Sequence, residues 1–227
     1  MAHSFGLSLR RWWHRRGLAD SPLRDVFNAP LPALGDPVTK ARFVAVDLEL
    51  TGLDPQSDQI VSMGWVPVEN ERVRLQHAQR HYVEISGSVA ESATVHGIVD
   101  NTLNEAIPLQ EALAALLETL PTSILIAHHA PVETRFLNAA CQRLYGAPLL
   151  IPVVDTVALG RRLMERGSRS ASDHTLRLPA LRQHFGLPAY PAHDALTDAV
   201  ATAELFLAQC AHLRGGGTLH VRTVLRG

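Results

Sequence analysis

The sequence predicts an α/β domain with a mixed sheet, and three observations indicate this fold class. Three strand-like stretches separated only by turn residues come first, which is typical of an antiparallel meander. Two strand–helix units follow, as expected for parallel strands joined by crossover helices. A long helix-forming segment comes near the end of the chain. We therefore expect a five-stranded mixed sheet flanked by helices, with ligands bound where strands end and helices begin.

The first predicted strand, Phe43–Leu50, ends in two acidic side chains. Because side chains alternate between the faces of a strand, one face is wholly apolar, whereas the other begins apolar and ends with Asp47 and Glu49. Two neighbouring carboxylates on an otherwise buried strand repel each other and lose hydration. A bound cation would remove that cost, whereas an edge strand whose end reaches water would need none.

Turn and breaker residues delimit the other elements. In the first half these are strands at Gln59–Val68 and Arg72–Ile85 around a turn at residues 69–71, a helix at Leu109–Leu120, a strand at Ile124–Ala127 and a helix from Pro131 to about Tyr145. In the second half they are a strand at Val153–Val154, a helix from Thr156 to about Glu165, a helix at Thr175–Phe185, a long helix from Asp194 to about Leu213 and a last strand at Thr218–Leu225.

Composition describes an ordinary globular protein: of 227 residues, 46% are hydrophobic and 19% charged. The net charge of −1 conceals an asymmetry, because residues 1–42 hold seven basic and three acidic side chains. We expect residues 1–38 to form a basic arm with a proline-rich linker, and residues 39–227 to form the main domain. The two cysteines, Cys141 and Cys210, lack metal-ligand spacing and fit buried positions in a reducing compartment. No apolar run is long enough for a membrane span, so we expect a cytoplasmic protein without membrane contact.

The arm interleaves tryptophans with arginines, among them Trp12 and Trp13 between Arg11 and Arg15. Such a segment can stack on bases or lie on a membrane surface. The interpretation that we favour is a short helix whose tryptophans pack on the body of the domain.

Three separated motifs resemble the DEDDh 3′–5′ exonucleases, the group of polymerase proofreading subunits, ribonuclease T and oligoribonuclease. They are Asp47–Gly52 (Asp-Leu-Glu-Leu-Thr-Gly), residues 127–137 (Ala-His-His-Ala-Pro-Val-Glu-Thr-Arg-Phe-Leu) and His193–Asp198 (His-Asp-Ala-Leu-Thr-Asp). Secondary matches are His96-Gly97-Ile98 and Asp155-Thr156, and together the matches cover residues 42–210. The resemblance implies a ribonuclease H-like fold.

The resemblance also implies a catalytic site with two Mg²⁺ or Mn²⁺ ions. Asp47 would bridge the ions, Glu49 and Asp198 would complete the set around one of them, and Glu133 would serve the second. His193 would be the general base, since histidine as a residue type titrates near neutral pH. The family has Asp where this chain has Glu133, and Thr where it has Leu50. The longer Glu133 could still reach the ion through water, or could point away and weaken the second metal.

By the same resemblance, a set of residues would bind the 3′-terminal nucleotide through backbone contacts, a hydroxyl and an apolar wedge: Leu50, Thr51, Gly52, His96 and His129. A plain turn or packing role is an open alternative for Leu50, Thr51 and His96. His128 and His129 fit structural or supporting roles better than metal ligation, because adjacent side chains at a strand end point apart. Asp155 fits the cap of the helix that follows it.

The function that the resemblance implies is metal-dependent release of nucleoside 5′-monophosphates from single-stranded or frayed 3′ ends, with single-stranded DNA as the expected substrate. Two alternatives stay open: an RNA-trimming exonuclease of the oligoribonuclease or ribonuclease T type, and an impaired exonuclease domain that acts as a binding module. Association with a DNA polymerase is also open.

Overall fold

A mixed sheet with helices on both faces organises the chain. The computed structural model describes residues 2–86, 105–166, 172–191 and 193–225. The strands are β1 (Arg42–Leu50), β2 (Ile60–Glu69), β3 (Arg72–Val73), β4 (Gln79–Tyr82), β5 (Ser123–Ala127) and β6 (Val153–Asp155). The helices are α1 (Ala2–Arg15), α2 (Pro22–Asn28), α3 (Leu109–Thr119), α4 (Pro131–Tyr145), α5 (Thr156–Arg166), α6 (Leu178–His184), α7 (Ala195–Arg214) and α8 (Val221–Val224).

The strand order confirms the predicted meander followed by parallel strands. It runs β3-β2-β1-β5-β6. β4 also pairs with β2, along a different part of that strand from β3. β1 is antiparallel to β2 and parallel to β5, and β5 is parallel to β6. Because β1 runs parallel to β5 and β6, its carboxyl end lies at the edge of the sheet where the helices after β5 and β6 begin. Such sheets bind ligands at this edge.

The two faces of β1 belong to two separate cores, as the alternation of its side chains predicts. Val44, Val46 and Leu48 pack with α3 and α4 in the first core. Phe43 and Ala45 pack with α7 in the second, where the rings of Phe43 and Phe206 lie 4.8 Å apart. The acidic end of β1 therefore lies on the α7 face of the sheet.

The predicted third strand, Arg72–Ile85, is interrupted. β3 and β4 are separated by a 3₁₀ turn at Leu75–His77. Residues 74–78 stand opposite only Val66 and Pro67 of β2, because Val68 pairs with Val73 and Trp65 pairs with Gln79. Pro67 has no N–H and offers Arg74 only its carbonyl, at 2.8 Å. The excess residues curl out of the ladder, so the sheet has six strands rather than the predicted five.

The predicted last strand, Thr218–Leu225, is wrong. The alternation of Leu219, Val221 and Leu225 indicates a strand, but this segment meets only an isolated bridge between Pro37 and His220. The hydrogen bonds of that bridge run from the N–H of Val38 to the carbonyl of Leu219 and from the N–H of Val221 to the carbonyl of Asp36. The pairing ends because both segments leave the extended conformation, one into a 3₁₀ turn at Val38–Lys40 and the other into a helix at Val221. The chain instead turns into α8, which buries Val221 and Val224.

The first 38 residues contribute to the core. Leu18, Leu23, Val26 and Phe27 are buried in the first core beside α3. The interpretation that the tryptophans of the arm pack on the body is wrong for Trp13, which is 73% exposed, and only partly right for Trp12, which is 42% exposed. A domain boundary at residue 38 stays a prediction, and the buried side chains of α2 argue for an earlier one.

Both cysteines are buried and free, as predicted. Among the described residues, none of the helices has the length and apolarity required to cross a membrane.

Candidate active site

Three carboxylates converge at the acidic end of β1. Oxygen atoms of Asp47, Glu49 and Asp198 lie within 4.8 Å of one another, and this is the one such group of possible metal ligands among the described residues. Asp47 is half-buried and Glu49 is 9% exposed. A cluster of this charge density is favourable only when a cation or protons neutralise part of it.

Helix α7 supplies the third carboxylate. Its N-cap, Asp194, accepts hydrogen bonds from the backbone N–H and the hydroxyl of Thr197, both at 2.8 Å. Asp198 lies in the first turn, four residues before Thr202 and eight before Phe206, so the three side chains share the face that packs on the sheet. The packing of Phe206 on Phe43 thus orients Asp198 toward β1.

The approach of α7 to the sheet depends on Gly64, which the sequence analysis did not single out. Gly64 is the partner of Asp47 in the β1–β2 register. A Cβ atom on Gly64 would lie 2.2 Å from the carbonyl carbon of Ala195 at the start of α7. A glycine within an otherwise apolar strand is a signal of close backbone approach, and it could have marked this contact.

Glu133 lies beside the cluster, in the first turn of α4. Its side chain is 6% exposed, and its Oε2 atom is buried without a hydrogen-bond partner. Its carboxyl is not one of the three whose oxygen atoms lie within 4.8 Å of one another. Among the neighbouring charges, that of Glu133 nevertheless raises the pKa of Asp47 most. The burial argues against the alternative in which Glu133 points into solvent.

The crowding of carboxylates changes their protonation. Burial, followed by the charges of Glu133, Asp198 and Glu49, raises the pKa of Asp47 well above the usual aspartate range. Burial, followed by the charge of Asp155, raises the pKa of Glu133 to about 8. Burial also raises the pKa of Asp198, although the N–H of His193 opposes the shift. Each shift disfavours the ionised form, which a cation would restore.

His193 lies in the loop before α7 with an exposed side chain. Its backbone N–H donates to Oδ2 of Asp198 at 3.1 Å. Its φ angle is 71°, in the left-handed region that costs a residue with a side chain of this size on the order of 1–3 kcal/mol. The imidazole is therefore held next to the carboxylate cluster in a conformation that local sequence preference does not favour.

Two arginines that the sequence analysis missed support α7. Arg80 of β4 forms an ion pair with Asp194, 2.5 Å apart. Arg182 of α6 is buried and donates to the carbonyl of Ala201 and to Glu204 of α7, at 2.7 and 2.8 Å. Both contacts join residues far apart in sequence, and no local pattern marks them.

Comparison with known proteins places this geometry in a family. The sequence model of the exonuclease family (RNase_T) matches residues 44–206. The chain belongs to the exonuclease family. The match spans β1 through the middle of α7, so it contains all four carboxylates and His193.

Relatives of this exonuclease include polymerase proteins. This chain is 32% identical over 168 residues to a DNA polymerase III PolC-type protein of Thermotoga petrophila, and the match covers 74% of this chain and 12% of the relative. It is 28% identical over 170 residues to a DNA polymerase III subunit epsilon of Treponema pallidum, covering 75% of this chain and 77% of the relative. The chain thus spans only about an eighth of the length of the PolC-type relatives that it matches.

Solved structures of exonucleases share the fold. Exonuclease X in complex with 5′ overhanging duplex DNA has a TM-score of 0.60 and 18% identity, covering 81% of this chain and 99% of that one. The nuclease domain of 3′hExo, a DEDDh family member bound to rAMP, has a TM-score of 0.60 and 15% identity, covering 82% and 98%. The predicted ribonuclease H-like α/β class is confirmed.

The residues predicted to bind the terminal nucleotide are only partly described. The hydroxyl of Thr51 accepts from the N–H of Gln59 at 2.9 Å, so it closes the loop after β1. Gly52 lies against the Asp58 carboxylate, which a Cβ atom would approach to 2.4 Å. Leu50 is half-buried at a register shift of β1 and packs against the first core. These contacts favour the turn and packing roles, and a substrate role stays a prediction.

His96 lies outside the described residues, so its role also stays a prediction. His129 is exposed with a φ of 71°, and its N–H donates to Oδ1 of Asp155 at 3.2 Å. Asp155 also accepts from the N–H of Val157, which confirms it as the cap of α5. His128 bonds the Thr156 hydroxyl through Nδ1 at 2.8 Å, and burial lowers its pKa to about 4, which supports a structural role.

We predict that Glu133→Gln stabilises the metal-free protein at neutral pH. The pKa of Glu133 is about 8 in the folded protein, whereas the ordinary glutamate value of 4.5 applies in the unfolded chain. The unfolded chain therefore loses this proton first, and the fold is progressively destabilised as pH rises from 4.5 to 8. Replacing the titrating carboxyl by an amide should therefore raise the free energy of unfolding by on the order of 3 kcal/mol at pH 7.

Thermal unfolding in EDTA across this pH range measures the effect. The gain in Tm of Glu133→Gln should disappear below pH 4.5, where both states are protonated. Glu118→Gln, at an exposed position on α3, is the control and should change Tm little at any pH. A gain that is independent of pH would contradict the assignment of a raised pKa.

Proposed function

We propose that this exonuclease removes nucleoside 5′-monophosphates from the 3′ ends of single-stranded DNA with the help of two divalent metal ions. The observation that carries the proposal is the convergence of Asp47, Glu49 and Asp198 within 4.8 Å, with the buried Glu133 beside them. Four carboxylates exceed the charge that one divalent cation can neutralise, which supports two ions. The all-oxygen set fits Mg²⁺ or Mn²⁺.

The residues present fit such ions. The unpartnered Oε2 of Glu133 and the raised pKa of Asp47 are features that a cation would relieve. Asp47, Glu49 and Asp198 would hold one ion, and Asp47 and Glu133 would hold the second. Bound divalent cations supply Lewis acidity, which neutralises phosphate oxygens and acidifies water.

His193 is proposed as the general base. Its exposed imidazole can meet a water molecule that attacks the terminal phosphodiester, and its charge acts on Asp198. The imidazole nitrogen would take the proton of that water as the water oxygen bonds to phosphorus. The bond from phosphorus to the 3′ oxygen of the preceding nucleotide would break, and that oxygen would leave and take a proton from solvent. The hydrogen bond from the His193 backbone to Asp198 keeps base and carboxylate together.

The choice of DNA rests on the relatives. The polymerase III proteins named above carry DNA polymerase names, and Exonuclease X was solved with DNA. The same relatives support association with a DNA polymerase. The 3′hExo domain was solved with rAMP, which keeps RNA as an arm of the test.

We predict that hydrolysis proceeds from the 3′ end and requires Mg²⁺ or Mn²⁺. With a 5′-labelled single strand the label should stay on a ladder of shortening products, whereas a 3′ label should leave at once as a mononucleotide. EDTA should abolish the reaction, and Asp47→Asn should lower its rate by about 10²–10³-fold, as for loss of one group that stabilises transition-state charge. Asp173→Asn, at a fully exposed aspartate, is the matched control and should retain the rate.

Gel analysis of matched DNA and RNA oligomers gives the substrate preference. A faster reaction on RNA would favour the RNA-trimming alternative. Activity that survives exhaustive chelation would contradict the metal requirement, and loss of the 5′ label as a mononucleotide would contradict the polarity.

We predict that His193→Asn lowers kcat by about 10²–10⁴-fold without changing metal affinity. Asparagine tolerates the left-handed φ of 71°, so the backbone hydrogen bond to Asp198 should survive. Single-turnover rates and Mn²⁺ titrations separate the two effects, and added imidazole should restore part of the rate. Weakened Mn²⁺ binding at an unchanged rate would instead make His193 a ligand.

A further inference from the structure

A pocket of about 190 Å³ lies between α1 and the segment that follows α2. Its wall includes Arg11, Trp12 and Arg15 of α1, together with Phe27 and the backbone of residues 29–31. None of these residues belongs to the carboxylate cluster or to the three motifs of the exonuclease. The lining of the pocket is thus distinct from the residues of the candidate active site.

Arg11 is buried in the wall of this pocket. Its side chain is 5% exposed, it donates to the carbonyl of Ala29 at 3.1 Å, and its guanidinium lies 5.6 Å from the centre of the Phe27 ring. Its Nε atom is buried without a hydrogen-bond partner. Among the ion pairs of the described residues, none involves Arg11.

A buried guanidinium of this kind favours an anionic ligand. Burial lowers the pKa of Arg11 to about 10, which still leaves it charged at neutral pH. An unpaired buried charge is unfavourable. A carboxylate or phosphate offsets that cost well, because its oxygen atoms match the planar donors of the guanidinium. The first 19 residues contain no acidic side chain that could serve instead.

The rim of the pocket adds an aromatic surface and a second cation. Trp12 is 42% exposed, and the guanidinium of Arg16 lies 3.7 Å from the centre of its ring. Arg15 is exposed beside it. Single-strand binding sites have two components. Cationic side chains line the path of the sugar-phosphate backbone, and aromatic side chains stack on the bases.

We propose that this pocket binds a phosphate of single-stranded nucleic acid, with Arg11 and Arg15 on its oxygens and Trp12 stacked on an adjacent base. The proposal rests on the proposed function in that it takes the strand being degraded as the ligand. It assigns a grip on that strand outside the carboxylate cluster. A lipid surface fits less well, because the buried charge lies inside a concavity and not on a convex apolar face.

The test measures binding of a short fluorescein-labelled oligodeoxythymidine to the full chain by anisotropy, in EDTA so that no hydrolysis occurs. Arg15→Gln and Arg11→Gln should each weaken binding about tenfold and reduce the slope of log Kd against log salt by about one. Trp12→Leu should weaken binding about tenfold with little change in that slope. Arg10→Gln removes the same charge from an exposed position of α1 outside the pocket, and it should change Kd less than twofold.

Equal losses of oligonucleotide affinity in Arg10→Gln and Arg15→Gln would overturn the proposal, because α1 would then attract strands only by its overall charge. Pocket-dependent binding of a labelled polyglutamate peptide or of anionic phospholipid vesicles, without such binding of the oligonucleotide, would overturn it in favour of a protein or membrane ligand. Should Arg11→Gln fail to fold, Arg15→Gln and Trp12→Leu still decide the matter.

A second readout separates this proposal from the proposed function. Turnover of a small substrate, the p-nitrophenyl ester of thymidine 5′-monophosphate, should fall much less in Arg15→Gln than turnover of an oligomer, because a single nucleotide offers no second phosphate and adjacent base for the pocket. Loss of all hydrolysis with intact pocket-dependent binding would contradict the proposed function and leave the pocket supported. Full hydrolysis of oligomers with unchanged affinity in Arg15→Gln would contradict the role of the pocket and leave the proposed function supported.

Discussion

The repulsion among carboxylates at the end of β1 is the constraint on which the rest of the structure depends. Two full charges at the 4.8 Å limit of the cluster repel by about 3 kcal/mol at the effective dielectric constant of protein sites. Three such groups, with Glu133 beside them, would spread apart if the backbone allowed it. The fold must therefore supply the energy that holds them, and a cation or protons must neutralise them.

The two cores supply that energy from opposite faces of one strand. Val44 and Val46 are fully buried on one side, and Phe43 is buried against Phe206 on the other. Burial of a large apolar side chain contributes roughly 1.5–3 kcal/mol, so a few such residues offset the repulsion. β1 pairs with β5 over Arg42–Ala45 and with β2 along its whole length, so Asp47 and Glu49 cannot move away without breaking the β1–β2 ladder. The strain of the site and the stability of the core are thus coupled through a single strand.

The same coupling explains what the sequence could predict. Alternation along β1 placed Asp47 and Glu49 on one face, and the helix signals around Asp194 placed Asp198 in a first turn, because both features are local. The contact of Gly64 with Ala195 and the ion pair of Arg80 with Asp194 were not predictable from local patterns, because each depends on two distant segments meeting. The error at Thr218–Leu225 has the same origin. Alternation was present, but the partner segment turns away at Val38–Lys40, so only the single bridge between Pro37 and His220 forms. The catalytic roles came from the family resemblance and not from spacing.

The central claim is that a divalent cation relieves the carboxylate repulsion, and thermal unfolding of the parent and of Asp47→Asn, each in EDTA and in millimolar Mn²⁺, tests it most directly. Without metal, Asp47→Asn should melt at a higher temperature than the parent, because it removes a charge from the cluster. Mn²⁺ should raise the Tm of the parent by several degrees and that of Asp47→Asn much less, since ligand binding to the folded state stabilises it by mass action. A parent protein that melts at the same temperature with and without Mn²⁺, and above Asp47→Asn in EDTA, would contradict the account.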